Sequence, residues 1–498
     1  MSNEFFKAKT ILEPIEFWGN WWIPKKKQEI EKLPGILKFQ TNSFGRLEIC
    51  HNFNDTPLNI MESCPVLLGF TNRKYVSIFD AFVSNMVMFS PDRPITLGFS
   101  EYWEGNTFFY SRDDVKFKSV TFGINNLEKW HNTNSYDSSF SMKSRKINLT
   151  YKLPKKIKLF EDENVKIGLI YCAQGSGFDY GQTTASVKQS ARIVIESRKG
   201  RLLPFYGEKK TFQYYIEMIF NFLSLVIGKN TFIYDIRGIR KYNKKKSKIP
   251  SEVYATRFWR QDVVDKHLQD VSIADIALPY CLIKDDMQEA IKQYNILHPE
   301  ISLMVFELID FQRRYYPIDH HILSQFIFLF EGIIRSIYKT EVKKYHEEKV
   351  LTDEYENMKK SILNVCKKNQ KKWLNRVLTS YPKFREYYDV ALIEMEKLFL
   401  YLFEERKDTS PSNLADIMFK YLKKERIKIA HSVRTSESDH QLYFHAIYWV
   451  YFVLIFSIWK KCGISIEIIN TRIQKPYPIY NHTKKHICSL LPEWGRKN

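Results

Sequence analysis

The sequence predicts an α+β multidomain protein in which a β-rich N-terminal domain is followed by an all-α helical bundle. Length sets the first bound: 498 residues exceed one ordinary domain of about 100 to 200 residues, so several cores are expected. The second observation is a change of period. Apolar residues alternate every second position from about 35 to 200, then recur at helical spacing from Phe212 to about 470, the signatures of half-buried strands and of amphipathic helices. The third is composition. Hydrophobic residues make up 44% and aromatic residues 15%, enough material for those cores, and no Pro/Gly/Ser-rich tract marks a long disordered segment. The expected divisions are a β-rich domain over 1–205, a mixed, mainly helical connecting region over 206–314, the bundle over 315–470 and a tail over 471–498.

In chain order, FWGNWWIPKKK at 17–27 groups three tryptophans before three lysines. Aromatics beside cations can stack bases, but at the edge of a β-domain the core reading is preferred. Leu37 and Phe39 face Leu47 and Ile49 across TNSFG, which predicts a hairpin. Alternation is clearest in Ile147, Leu149, Tyr151 and Leu153 against Lys146, Asn148, Thr150 and Lys152. AQGSGFDYG, with Gly175, Gly177 and Gly181, has the wrong spacing for a dinucleotide loop and precedes a strand-like run where a helix is required, so it too reads as a hairpin. After GRLLPFYG, Phe212, Tyr215, Ile216, Ile219, Leu223 and Val226 fall on one helical stripe. RGIRKYNKKKSKIP at 237–250 is a basic segment ending in proline. It reads as a linker in preference to a phosphate-tracking loop, with Lys244, Lys245 and Lys246 the candidate RNA contacts outside the bundle.

The last third predicts four or five helices. One starts after the candidate N-cap Asp319 and carries Ile322, Phe326, Leu329, Ile333 and Ile337; another covers roughly 384–405 with Val390, Leu398 and Leu402. A third begins near Ser412/Asn413 and carries Leu414, Ile417, Met418 and Tyr421. The fourth, at 443–461, is closed by Lys460, Lys461 and Gly463. Its run YFHAIYWVYFVLIFSIW approaches spanning length, but His445 and several Tyr and Trp residues through its middle favour a buried bundle helix over a membrane span.

Lys+Arg exceeds Asp+Glu by 76 − 56 = 20. A positive surface field suits polyphosphates, although much of this lysine is also what a solvated surface would carry. Seven scattered cysteines form no C-x-x-C pair, which fits a reducing cytoplasm better than a disulfide framework. The opening MSNEFFKAKTILEPIEFW lacks the basic-then-apolar order of a signal peptide. His482, His486 and Cys488 lack an evident fourth ligand, and His320 and His321 are adjacent and point apart, so neither set predicts a metal site.

KKERIKIAHS at 423–432 sets Arg426 and His431 five positions apart in a predicted helix. The other Arg-x4-His match, Arg46 and His51, lies in a predicted strand, where the odd spacing sends the two side chains to opposite faces. On an ideal helix, five residues leave the pair about 140° apart in direction and about 7.5 Å apart along the axis. A joint site then needs arginine's reach, a distorted last turn at Ala430 or a second copy of the helix across a two-fold axis. The chemistry that suits such a pair is metal-independent RNA cleavage. Histidine titrates near neutrality and can take the ribose 2′-OH proton or protonate the leaving 5′ oxygen, while a guanidinium can hold the phosphate bidentately. Lys423, Lys424 and Lys428 would add backbone attraction. The plainer alternative is a basic helix end with a solvated histidine.

Arg426-IKIA-His431, with an apolar helix before it and an aromatic helix after, resembles the R-x4-6-H motif of HEPN domains. FIFLFEGIIRSIY resembles that fold's opening helix, and the two together cover about 315–465. Further upstream, FWGNWWIP, GRLEI, LLGFTNRKYVSIFDAF at 67–82 and FKSVTFGINNLEKW at 117–130, in that order, resemble the N-terminal domain of the ApeA family of bacterial anti-phage proteins. The resemblance implies an abortive-infection endoribonuclease, dimeric through an HEPN-like bundle, cutting host or phage RNA such as tRNA in response to a phage-derived trigger. It needs no cofactor and no membrane. His431 would be the acid/base and Arg426 the phosphate binder. Many HEPN nucleases carry a polar residue after the arginine; here it is Ile427. The rival reading is a non-catalytic dimer that senses or sequesters RNA, and a third is a membrane effector acting through 443–459.

Overall fold

A computed structural model describes the chain from Ile15 to Gln474, apart from stretches of which the longest are 86–93, 176–186, 259–271, 372–383, 395–418 and 428–439. The chain divides into two compact units, Met1–Cys281 and Leu282–Asn498.

The first unit begins with β1 (Ile15–Trp22), β2 (Leu33–Phe39), β3 (Gly45–Ile49), β4 (Ser63–Thr71), β5 (Lys74–Asn85) and β6 (Ile95–Phe99). These pair antiparallel in the order β1-β2-β3-β6-β5-β4 and back to β1, a closed six-stranded barrel without free edges. The alternation in β2 is why it curves round a core: Leu33, Leu37 and Phe39 are buried while Pro34 is exposed. The expected hairpin is present, with Leu37 opposite Leu47 and Gly35 opposite Ile49. Trp21, Leu37, Leu47, Leu67, Ile78 and Leu97 are among the residues filling the interior. The Trp21 indole donates to the Gly35 carbonyl at 3.2 Å and lies against Gly69, where a Cβ would stand 2.2 Å from the ring. A glycine in a strand here marks a close approach. Trp22 is buried as well, but Trp18 is 65% exposed, so the core reading holds for two of the three tryptophans and fails for Trp18 on the outer face.

β7 (Glu101–Gly105) follows β6 after Ser100. β5 pairs with β6 through Phe82–Asn85 and with β7 through Tyr75–Phe79, and at the junction Asp80 takes a left-handed φ of 51°. One ribbon thus serves two structures: β6 closes the barrel on β3, while β7 pairs on its other edge with β17 of an open sheet.

That sheet and two separate two-stranded ribbons use β8 (Lys116–Phe117), β9 (Ser119–Ile124), β10 (Tyr136–Ser141), β11 (Lys146–Tyr151), β12 (Ile157–Glu161), β13 (Val165–Gly175), β14 (Val187–Ser197), β15 (Leu203–Pro204), β16 (Ile233–Tyr242) and β17 (Pro250–Phe258). From β7 it runs β17-β16-β9-β14-β13-β12, while β10 pairs with β11 and β8 with β15. β13 and β14 pair to Gly175 opposite Val187, as the hairpin reading of the glycine-rich segment required. Leu153 lies past the end of β11 and is half exposed. Helices α1 (Leu127–His131) and α2 (Phe212–Ile227) complete the unit. Thr211 caps α2, accepting from the Tyr214 N–H at 3.3 Å, and Gly228 ends it at φ 66°.

The linker reading of 237–250 is corrected here. RGIRKY belongs to β16, whose Ile236 opposes Thr256 of β17 and whose Ile239 opposes Ser119 of β9. The expected mainly helical connecting region at 206–314 therefore splits: its strands complete the N-terminal sheet, and the chain divides at Cys281/Leu282. Lys244, Lys245 and Lys246 lie outside the described residues, and the basic run hid the flanking β-strands from the sequence reading.

The second unit is helical. After α3 (Tyr280–Ile283) come α4 (Met287–Arg313), α5 (His320–Ile337), α6 (Lys339–Lys349), α7 (Asp353–Val365), α8 (Phe384–Glu394), α9 (His440–Lys461) and α10 (Ile466–Gln474). α5 starts where the candidate cap Asp319 predicted, and α10 runs into the expected tail. Phe311 of α4, Phe326 of α5 and Tyr448 and Tyr451 of α9 form one aromatic cluster, with Phe311 and Phe326 4.6 Å apart and Phe311 and Tyr451 6.0 Å apart. α9 ends in a Schellman motif, with Ile464 N bonded to Trp459 O, Gly463 N to Lys460 O and Gly463 at φ 86°. Its last lysines tie the bundle together, Lys460 to Glu394 of α8 at 2.8 Å and Lys461 to Glu341 of α6 at 2.5 Å. Among the described residues no helix is long and apolar enough to cross a membrane, so the apolar run of α9 is explained by burial in the bundle.

Candidate functional site

The helix leading into the Arg-x4-His motif is described over 419–425 and again at 427. Phe419, Leu422 and Glu425 are buried, while Lys423 and Lys424 are exposed, as spacing along one amphipathic helix requires. Phe419 seats this helix on α8: its ring lies 5.1 Å from Tyr388 and 4.4 Å from the Arg385 guanidinium. Ile427 is helical and half exposed. Arg426, Lys428 and His431 lie outside the described residues, as do Lys244, Lys245 and Lys246 and the tail residues His482, His486 and Cys488. The structure thus brings Lys423 and Lys424 to one exposed helix face and describes no partner geometry for the pair itself.

The discarded match does not lie within one strand as expected, because β3 ends at Ile49. Arg46 is exposed on β3, whereas His51 lies past the strand and its Nδ1 is 2.8 Å from the Asn52 carbonyl. His321 is exposed at the start of α5. Among the described residues no group of three or more His, Cys, Asp or Glu side chains is placed to hold a metal ion, and Cys50, Cys64, Cys172, Cys281 and Cys462 are free thiols.

Two buried ionisable clusters escaped the sequence reading. In the helical unit, His346 of α6 and Glu386 of α8 are both buried, with Nδ1 and Oε2 2.5 Å apart. Beside them Tyr345 donates to Asp389 at 3.3 Å and Arg385 pairs with the same carboxylate at 2.6 Å. The same α8 thus holds α6 through Glu386 and the helix at 419–425 through Arg385 and Tyr388. The partners are 40 residues apart, and nothing local in KKYHEEK distinguishes His346 from a solvated histidine; only the helix packing could have found the pair.

In the first unit, Glu101 of β7 is buried where the barrel meets the open sheet. Tyr206 and Trp103 both donate to its carboxylate, the indole at 2.9 Å. Arg112 stands 3.9 Å from Glu101 and 2.9 Å from Asp80, the left-handed residue of β5. Burial outweighs these partners and raises the Glu101 carboxyl to about 7.

The family model for ApeA N-terminal domain 1 matches residues 16–294. No curated protein and no solved structure matches the chain. The match begins one residue into β1, takes in the whole barrel and open sheet and ends within α4. It also contains each of the four upstream segments read as ApeA-like, and Trp21, Leu47, Leu67 and Phe122 from those segments are core residues. Matched over more than half its length, the chain belongs to the ApeA family of anti-phage defence proteins.

Proposed function

We propose that the chain is an anti-phage endoribonuclease that cleaves RNA without a metal ion and halts growth of the infected cell, with tRNA a candidate substrate. The observation that carries this is order along the chain: an ApeA N-terminal domain, then a helical unit whose amphipathic helix at 419–425 leads directly into Arg426-IKIA-His431. In this reading His431 removes the ribose 2′-OH proton or protonates the leaving oxygen, and Arg426 holds the phosphate. The 2′ oxygen bonds to phosphorus as the bond to the 5′ oxygen breaks, leaving a 2′,3′-cyclic phosphate and a 5′-hydroxyl. Lys423 and Lys424 lie exposed on the same helix and, with Lys428, would draw the RNA backbone to the site.

The pair's separation on a helix asks for a second copy, so the reading includes a homodimer through the helical unit. Support comes from α4, where Ile296 and Leu303, seven residues apart on one face, are 63% and 82% exposed, and from Phe328 on the adjoining α5, 59% exposed. Plaque counts on cells expressing the chain test the reading. Wild type should restrict phage, and Arg426→Ala and His431→Ala, expressed to the same level, should not. Undiminished restriction by both variants would reject the catalytic pair and leave RNA sequestration as the reading.

A further inference from the structure

The ends of β13, β14 and β9 and the turn after β14 enclose a shallow, open pocket of about 410 Å³, lined by Lys118, Lys166, Glu196, Ser197, Arg198, Lys199 and Gly200. Four cations face one carboxylate, and that carboxylate is already engaged by Lys156 at 2.5 Å. Lys166 and Arg198 share Glu161, at 3.4 and 3.0 Å. Lys118 and Lys199 have no ion pair among the described residues, so their charge is available to an incoming anion. Sheet geometry holds the cations together: Lys166 opposes Glu196, which opposes Ser119, and Ser197 N bonds to Lys118 O at 2.8 Å. On the next strand, Arg240 and Lys241 follow Ile239, the last residue of β16 paired with β9.

Lys199 is also strained. Its φ of 59° and ψ of 15° are left-handed, and Gly200 follows at φ 62°. A lysine in that region costs about 1 kcal/mol or more, and such strain is concentrated at functional positions. No aromatic or aliphatic side chain lines the pocket, so it offers bases no aromatic platform and a lipid tail no apolar wall. Its chemistry is directed at phosphate, and its open shape lets a chain pass through.

We propose that this pocket binds the phosphodiester backbone of RNA, without regard to base sequence. The choice of RNA over other polyanions rests on the function proposed above; the pocket's geometry does not depend on it. The test uses the full chain and a short 2′-O-methyl RNA, which cannot be cleaved by 2′-OH attack, so binding is read independently of any nuclease activity. Affinity is measured between about 50 and 200 mM salt for wild type and for Lys118→Gln/Lys199→Gly. Each lost phosphate contact should reduce the log–log salt slope by about 0.7, so the double variant should lose about 1.4 and bind more weakly. Lys199→Gly relieves the left-handed strain, so the melting temperature should hold or rise, separating lost binding from lost folding; Lys118→Gln alone should show half the change in slope. An unchanged slope in the double variant, or no RNA binding by wild type at 50 mM salt, would overturn the proposal. His431→Ala should keep the wild-type slope while losing cleavage; cleavage retained by His431→Ala would reject the catalytic reading alone, and an unchanged slope in Lys118→Gln/Lys199→Gly would reject the pocket alone.

Discussion

Glu101 is the residue whose environment departs most from what its identity suggests, a buried carboxyl that accepts from Tyr206 and Trp103 at a sheet junction. Its folded value of about 7 stands above its ordinary 4.5. The stability this contributes is therefore fully present below pH 4.5 and lost as pH rises to about 7. Glu101→Gln should remove that dependence, and relative to wild type the variant should gain on the order of 3 kcal/mol between low pH and neutrality. His131 and His298 work in the opposite sense. Burial lowers each to about 4, so their contribution is present above the ordinary histidine value and lost as pH falls toward 4. Urea unfolding of wild type and variant at matched pH isolates the glutamate, and parallel stability curves would refute its assignment. Gly69 makes a steric counterpart: Gly69→Ala puts a methyl 2.2 Å from the Trp21 ring and should cost about 2 kcal/mol by displacing it, read as a lower urea midpoint at unchanged slope.

Elements were legible in the sequence where periodicity and caps agreed. The β2–β3 hairpin, the start of α5 and the glycine-closed end of α9 all sit where local chemistry put them. Strands were lost where charge masked periodicity: β16 ends in RGIRKY, whose Arg237 is largely covered and paired with Asp235 at 2.7 Å, and its partner β9 lies far upstream in sequence. The change of partner along β5 was equally hidden, since a left-handed aspartate carries no local mark. For the candidate site, the sequence supplied Arg426 and His431, and the structure adds the burial of Phe419 and Leu422 and the exposure of Lys423 and Lys424. The tie between α6 and α8 could not be read locally at all. His346→Ala would leave the Glu386 carboxylate buried without its imidazole, so it should destabilise the helical unit by about 2 kcal/mol. Hydrogen exchange in α6 and α8 should accelerate while β1–β6 stay protected; equal protection in both proteins would contradict the pair's structural role.

At the scale of the whole molecule, the net charge of +20 has two expected uses: the exposed lysines before the Arg-His pair and the cationic pocket of the N-terminal sheet. Under the proposals above both would act through phosphate and weaken with salt. Dimerisation makes a separate demand. Leu303→Glu adds a charge to an exposed position, 82% accessible, so it should fold normally, sediment as a monomer and lose RNA cleavage together with the dimer; a variant that stays dimeric would move the interface elsewhere. The central claim is catalytic, and one measurement reaches it most directly. Purified wild type and His431→Ala are incubated with total cellular RNA, from uninfected and from phage-infected cells, in the presence of EDTA, and the product ends are mapped. The account expects discrete cleavage by wild type alone, leaving 2′,3′-cyclic phosphate and 5′-hydroxyl ends; equal cleavage by His431→Ala, or none by wild type in either RNA preparation supplemented with infected-cell extract, would contradict it.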